Sequence, residues 1–155
     1  GYSRAVVEGD WIFVSGTTGF DYSAMTIVAD AAGQCEQTCR NIESALREAG
    51  SSMDDVVRVR YILPDAADFE ACWPVLGRYF GKALPAATMF VAGLQDPRMK
   101  IEIEVTAIRQ QGESGSRTWL TARCLWMVWR SGHWLCRFRP CYPDVIGRVP
   151  FGARI

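Results

Sequence analysis

Hydrophobic and polar positions recur with two different periods along the first two-thirds of the chain, and each period predicts an element. Two β-branched or aromatic runs, Ala5-Val6-Val7 and Trp11-Ile12-Phe13-Val14-Ser15, flank Glu8-Gly9-Asp10, whose residue types suit a hairpin turn. A third short strand is expected around Met25-Thr26-Ile27-Val28. The period then changes. Cys35, Cys39, Ile42, Leu46 and Ala49 recur at helical spacing, Glu36, Arg40, Glu43 and Arg47 fill other faces, and Gly50 supplies the stop. The pattern predicts an amphipathic helix of about five turns.

Alternation returns in Val56-Val57-Arg58-Val59-Arg60-Tyr61-Ile62-Leu63 and ends at Pro64, as expected of a strand. Asp65 or Asp68 is expected to cap a second helix, with Phe69, Cys72, Leu76 and Phe80 inward and Pro74 in its first turn or at a kink. Residues 86–94 and 99–108 read as two more strands, joined by Gln95-Asp96-Pro97-Arg98. The order β-β-β-α-β-α-β-β is an α+β layout, a six-stranded mixed sheet with both helices on one face. Its other face must meet water, a ligand or another subunit, and an apolar face favours oligomerisation.

Composition divides the chain. All 155 residues together carry 17 basic and 17 acidic side chains, which removes the usual electrostatic argument for nucleic acid or an anionic membrane as partner. The Gly112-Glu113-Ser114-Gly115-Ser116 stretch separates unlike pieces. Residues 1–110 hold 15 acids and 10 bases, whereas residues 111–155 hold only Glu113 and Asp144 against seven arginines. The second piece also contains four of the six tryptophans and the single histidine, His133. We therefore expect a domain over 1–110 and a basic, Trp/Arg/Cys-rich extension over 111–155 outside it. Interleaved arginines and aromatics would suit nucleic-acid stacking or a membrane surface. The absence of lysine and of a patterned face favours extra sequence with no selected role. The longest apolar run there, Leu125-Trp126-Met127-Val128-Trp129, is far short of the roughly eighteen residues of a spanning helix.

Several chemistries are disfavoured. A Ser-His or Cys-His nucleophilic pair has no histidine within 1–110. Cys35 and Cys39 lie on the apolar stripe, which favours buried free thiols over zinc ligands, and His133, Cys136 and Cys141 lack a second pair at zinc-module spacing. No phosphate-cradling or dinucleotide glycine motif is present, because Gly16-Thr17-Thr18-Gly19 follows a strand but opens no predicted helix. No metal or cofactor is expected.

Several segments carry the reading further. They are Tyr2-Ser3-Arg4-Ala5-Val6, Phe13-Val14-Ser15-Gly16, Gln37-Thr38-Cys39-Arg40-Asn41-Ile42, the stretch 49–57, Asp68-Phe69, Pro85-Ala86 and Lys100-Ile101-Glu102-Ile103-Glu104. In this order and spacing, residues 2–109 resemble the RidA/YjgF family, also labelled the L-PSP endoribonuclease family. The resemblance implies a chorismate-mutase-like fold and a homotrimer whose sheets form a barrel. It also implies small-molecule clefts between subunits, a cytoplasmic location, and hydrolysis of enamines or imines such as 2-aminoacrylate to keto acids and ammonia. Glu102 matches the family glutamate that positions the attacking water, with Ser15, Gly16 and Tyr2 on the cleft's loop and rim; Glu104 is the runner-up.

The chain departs from the family pattern at the substrate anchor. Where the family has an arginine that clamps the substrate carboxylate, the segment Pro85-Ala86-Ala87-Thr88 places Ala87. Trp73 stands at a position that looks like the family's polar asparagine, and Met89 replaces a small or thiol side chain, so the cleft gains apolar bulk. Arg60 or Arg98 is a candidate replacement cation; Arg58 shares the strand face of Arg60. The expected function is a divergent deaminase or related hydrolase, weak on 2-aminoacrylate. The alternative is a non-catalytic trimer that binds an apolar metabolite. An endoribonuclease ranks last, because residues 1–110 are acidic and lack histidine.

Overall fold

The computed structural model describes residues 1–110 with their side chains and residues 125–130 and 133–138 as backbone. The chain divides into two units, Gly1–Ser116 and Arg117–Ile155. In the first, β1 (Ala5–Glu8) and β2 (Trp11–Thr18) form the expected hairpin, turned at Gly9 with φ 58°, a left-handed value that glycine adopts without strain. A two-residue pair follows, β3 (Phe20–Asp21) with β4 (Thr26–Ile27). Helix α1 spans Ala31–Glu48. Its start is set by Asp30, whose carboxylate accepts from the Gly33 N–H at 2.7 Å. Its end is a Schellman motif: Gly50, at φ 74°, donates to Arg47 O and Ser51 N–H donates to Leu46 O. A 3-10 turn (Met53–Asp55), β5 (Val56–Leu63), α2 (Asp68–Phe80), β6 (Ala86–Val91) and β7 (Glu102–Ile108) complete this unit.

The main sheet has five strands in the order β1-β2-β7-β5-β6, mixed because β5 and β6 run parallel across the α2 crossover. The expected sixth strand is absent from it: the segment near Thr26 pairs only with β3, in a ribbon of its own. The helix ends also differ from expectation. Ala67 is the N-cap of α2 and no side chain caps it; Asp65 instead accepts from the Ala67 N–H, and Asp68 accepts from Lys100 Nζ at 3.0 Å. Pro74 lies in the body of α2 rather than its first turn. Its missing N–H removes only the donor that would reach Glu70 O.

One face of the sheet carries the core. Ile12 and Val14, Val59, Tyr61 and Leu63, and Ile103, Val105 and Ala107 alternate inward beneath Cys35, Cys39, Ile42 and Leu46 of α1 and Cys72, Val75, Leu76 and Phe80 of α2, all of them buried. Each fully buried large aliphatic there contributes roughly 1.5–3 kcal/mol. Cys35, Cys39 and Cys72 are free thiols within this core. Contact with Cys39, together with burial, pushes Cys35 up, and contact with Cys35 does the same to Cys72, so both remain protonated.

Among the described residues no helix covers the opposite face. There Trp11 and Phe13 stack with ring centres 6.3 Å apart and are each 47% exposed. With Glu8, Val57, Arg58 and Thr106 they line a shallow depression of about 470 Å³. Among the described residues no helix is long and apolar enough to cross a membrane. In the second unit, β8 (Leu125–Arg130) and β9 (His133–Phe138) pair antiparallel, with Leu125 opposite Phe138 and Arg130 opposite His133. The weak periodicity of this segment does not predict that hairpin, and the remaining positions of the extension, Cys141 included, lie outside the described residues.

Candidate functional site

A β-bulge builds the first part of the site. The β2–β7 register runs Val14↔Val105 and then Thr17↔Ile103, so Ser15 and Gly16 together stand opposite Glu104 alone. Glu102, the first residue of β7, pairs with Thr18 on one side and Ile62 on the other. Its side chain turns back along β2 onto Gly16. A Cβ built at Gly16 would lie 1.9 Å from Glu102 Oε1, so the carboxylate occupies the space that any other residue would fill. Ser15 Oγ donates to Ser3 O at 2.7 Å and Ser15 N–H to Arg4 O at 3.0 Å, which ties the N-terminal segment to the bulge. Tyr2 adjoins that tether and is 89% exposed, at the rim.

Electrostatics distinguishes Glu102 from its neighbour. Partial burial first, and the Glu104 carboxylate second, push Glu102 above the ordinary glutamate range. Glu104 faces Arg60 across the β5–β7 ladder and accepts from its Nη1 at 3.1 and 3.3 Å. Arg60 is thus engaged one step along the sheet from Glu102. Arg98 forks onto Asp96, with contacts of 2.7 to 3.2 Å, lies over the Phe20 ring and holds the Asp96 carboxyl down at about 2. Both candidate replacement cations are therefore ion-paired within the chain.

The second part of the site lies along the edge strand β6. Residues paired across a ladder share a face, so Ala87 beside Val59 and Met89 beside Tyr61 point to the helix side, whereas Thr88 beside Arg60 points to the opposite side. Among the described residues nothing on the helix side covers this edge strand: Ala87 is exposed and Met89 is 45% exposed. Tyr61 leads away from it through Phe69 (5.5 Å, tilted) to Trp73 (6.3 Å, edge-on), which is 42% exposed on α2. Met89, Tyr61, Phe69 and Trp73 form one apolar strip. Leu84, at φ 47°, turns the chain into β6 in a left-handed conformation that costs a non-glycine residue about 1–2 kcal/mol.

The chain thus brings together Glu102, Gly16 and Ser15, and separately Ala87, Met89 and Trp73, with Thr88 joining Arg60 and Glu104. It does not join the two groups, which occupy opposite faces of the sheet. Among the described residues no three His, Cys, Asp or Glu side chains converge on a metal-sized site. The sequence pattern assigns no role to Gln34 or Asn41, yet these amides of α1 bond the backbone beside Glu102. Their signal is two amides seven positions apart on the inward side of an amphipathic helix.

Comparison with known proteins places the fold in a family. The family described as Endoribonuclease L-PSP matches residues 1–109. A RutC family protein of Pyrococcus abyssi is 34% identical over 110 residues, 70% of this chain and 87% of the relative. The human 2-iminobutanoate/2-iminopropanoate deaminase is 30% identical over 109 residues, 70% of this chain and 80% of that enzyme. The crystal structure of RidA from an Antarctic Psychrobacter superposes with a TM-score of 0.65 at 30% identity, covering 69% of this chain and 87% of that one. By this match and these relatives, this chain belongs to the endoribonuclease L-PSP family, that of RidA, RutC and YjgF.

Proposed function

We propose that the protein is a divergent enamine/imine deaminase that hydrolyses C=N bonds at clefts between subunits of a homotrimer. The observation that carries the reading is Glu102, a carboxylate docked on Gly16 and raised above its ordinary pKa by partial burial. A carboxylate so placed accepts a proton from water as the water oxygen bonds to the imine carbon. It returns that proton to nitrogen to give a carbinolamine, then carries the carbinolamine's hydroxyl proton to the amino group, so that the C–N bond breaks with loss of ammonia as the C=O bond forms. The two groups of site residues meet only if one subunit's Glu102 faces another's β6, and the stacked Trp11 and Phe13 supply an apolar face for such association.

Ala87 sets the substrate range. Without a guanidinium there, an α-imino acid loses the bidentate clamp on its carboxylate, so 2-aminoacrylate is a poor substrate. An uncharged imine carrying an apolar group suits Ala87, Met89 and Trp73 better. The test is ammonia release from imines generated in situ by oxidation of aliphatic or aryl amines, compared with generated 2-aminoacrylate. Turnover of the neutral imines that is abolished in Glu102→Gln supports the reading. Equal or faster turnover of 2-aminoacrylate overturns it.

The exposed Met89–Trp73 strip also favours a second reading, a trimer that binds an apolar metabolite without turnover. That reading requires saturable thermal stabilisation and no ammonia. Ribonuclease activity ranks third, because residues 1–110 carry a net negative charge.

A further inference from the structure

We infer that two amides on α1, Gln34 and Asn41, are positioning residues that set where Glu102 stands over the Gly16 bulge. The inference rests on Glu102 being the working carboxylate, as proposed above. Glu102 closes both of its ladders: Thr18 is its last partner on β2 and Ile62 its last on β5. Beyond these pairs neither β2 nor the segment before β7 is held by a ladder, so strand pairing stops at Glu102 itself.

Each end is gripped from the same helix. Asn41 Nδ2 donates to Thr18 O at 3.1 Å and to Phe20 O at 2.9 Å, which holds β2 where it leaves the sheet. Its own Oδ1 accepts from Gln37 Nε2 at 3.0 Å, which fixes the amide's orientation. Gln34 performs the matching task for β7. Its Nε2 donates to Arg98 O at 2.8 Å and to Val28 O at 2.7 Å, and its Oε1 accepts from Lys100 N–H at 2.7 Å, two residues before Glu102.

Gln34 is completely buried with its amide fully used. A buried amide is costly unless every polar atom is paired, so an apolar residue would serve packing better if packing were its only role. Gly19 makes the grip possible. A Cβ there would lie 2.6 Å from Gln34 Cα, so only glycine lets the β2–β3 junction rest on the helix. Thr38 Oγ1 donates to Gln34 O at 2.7 Å inside the same helix rather than to a strand. The brace therefore consists of the two amides, seven positions apart on α1, one on each side of the Thr18↔Glu102 pair.

The groups that act on the Glu102 carboxylate are Glu104 on its own strand and, through Glu104, Arg60 on β5; the bulge on β2 contributes no titratable side chain. A change in Glu102 titration in a brace variant thus reports the carboxylate's burial at Gly16. The experiment measures the Glu102 side-chain carboxyl shift against pH by carbon-13 NMR in the full-length chain, for wild type, Gln34→Met and Asn41→Leu. Thermal unfolding is recorded alongside. Both variants are expected to lower the Glu102 pKa toward the ordinary glutamate range as the carboxylate lifts into water. Where Gln34→Met does not fold, Asn41→Leu, at a less buried position, carries the same test. A variant that loses thermal stability while its Glu102 titration matches wild type overturns the proposal and leaves the amides a structural role only. Wild-type protein that releases no ammonia, while the brace variants still shift Glu102, refutes the deaminase reading and leaves the brace standing.

Discussion

The two parts of the candidate site are held in opposite ways. Around Glu102, almost every neighbour is fixed: Gly16 by a bulge, Ser15 by two bonds to the N-terminal segment, and Glu104 by Arg60. Around Ala87 the side chains are exposed: Met89 stands on the edge strand, and Trp73 meets Phe69 edge-on at the surface of α2. The difference teaches where change is tolerated. A proton-transfer group loses rate when displaced by about an ångström, so its surroundings must be built tightly. A binding wall on an edge strand can exchange an arginine for an alanine at little cost in stability, because nothing inside the fold depends on it.

This contrast can be broken experimentally. The largest effect is expected for Glu102→Gln, which should lower C=N hydrolysis by about 10²–10⁴-fold in a single-turnover or steady-state ammonia assay while the fold stays intact. Gly16→Ala should follow, with a loss of up to about 10²-fold in kcat, because the added methyl displaces the carboxylate rather than removing it. Ala87→Arg should act in the other direction. It should raise kcat/KM for 2-aminoacrylate roughly tenfold, leave neutral imines unimproved and change the melting temperature little. If Ala87→Arg instead unfolds the protein, the edge strand is not the tolerant half.

Smaller effects sharpen the electrostatics. Glu102 must be ionised to accept a proton, so the acid limb of the kcat/KM profile should lie above the range of an ordinary glutamate. Stability should move oppositely. Because the folded-state pKa is raised, the stabilising contribution of Glu102 is fully present below the ordinary glutamate value and is lost as pH rises through the raised one. Denaturant titrations of wild type and Glu102→Gln should therefore converge in acid, with the variant the more stable near neutrality. The smallest change is expected for Arg60→Met: leaving Glu104 unpaired adds repulsion, which should move the acid limb slightly further up.

Much of this architecture is legible in residue order. The alternation of Ile12 and Val14 and the spacing of Cys35, Cys39, Ile42 and Leu46 place these side chains in the core, because burial follows the period of the element. Gly50 marks the end of α1 because few other residues adopt its backbone angle freely. Glu102 and the missing arginine at position 87 are legible as departures from, or matches to, a known pattern. The bulge is less so. Gly16 is visible as a glycine, but only the register shift between Val14 and Thr17 reveals that its empty side receives a carboxylate.

Sequence by itself determined the two-helix α+β layout, its inward-facing residues, the family, and the boundary at which the composition turns basic. These follow from local periodicity and composition, which each segment carries in its own residues. Tertiary structure alone decided that the segment near Thr26 leaves the main sheet, that Arg60 and Arg98 are already paired, and that Gln34 and Asn41 grip the strands beside Glu102. Each of these depends on which distant residues become neighbours. Gln34 and Lys100 stand 66 positions apart along the chain, and only packing of α1 against the β2–β7 ladder brings the amide to that backbone.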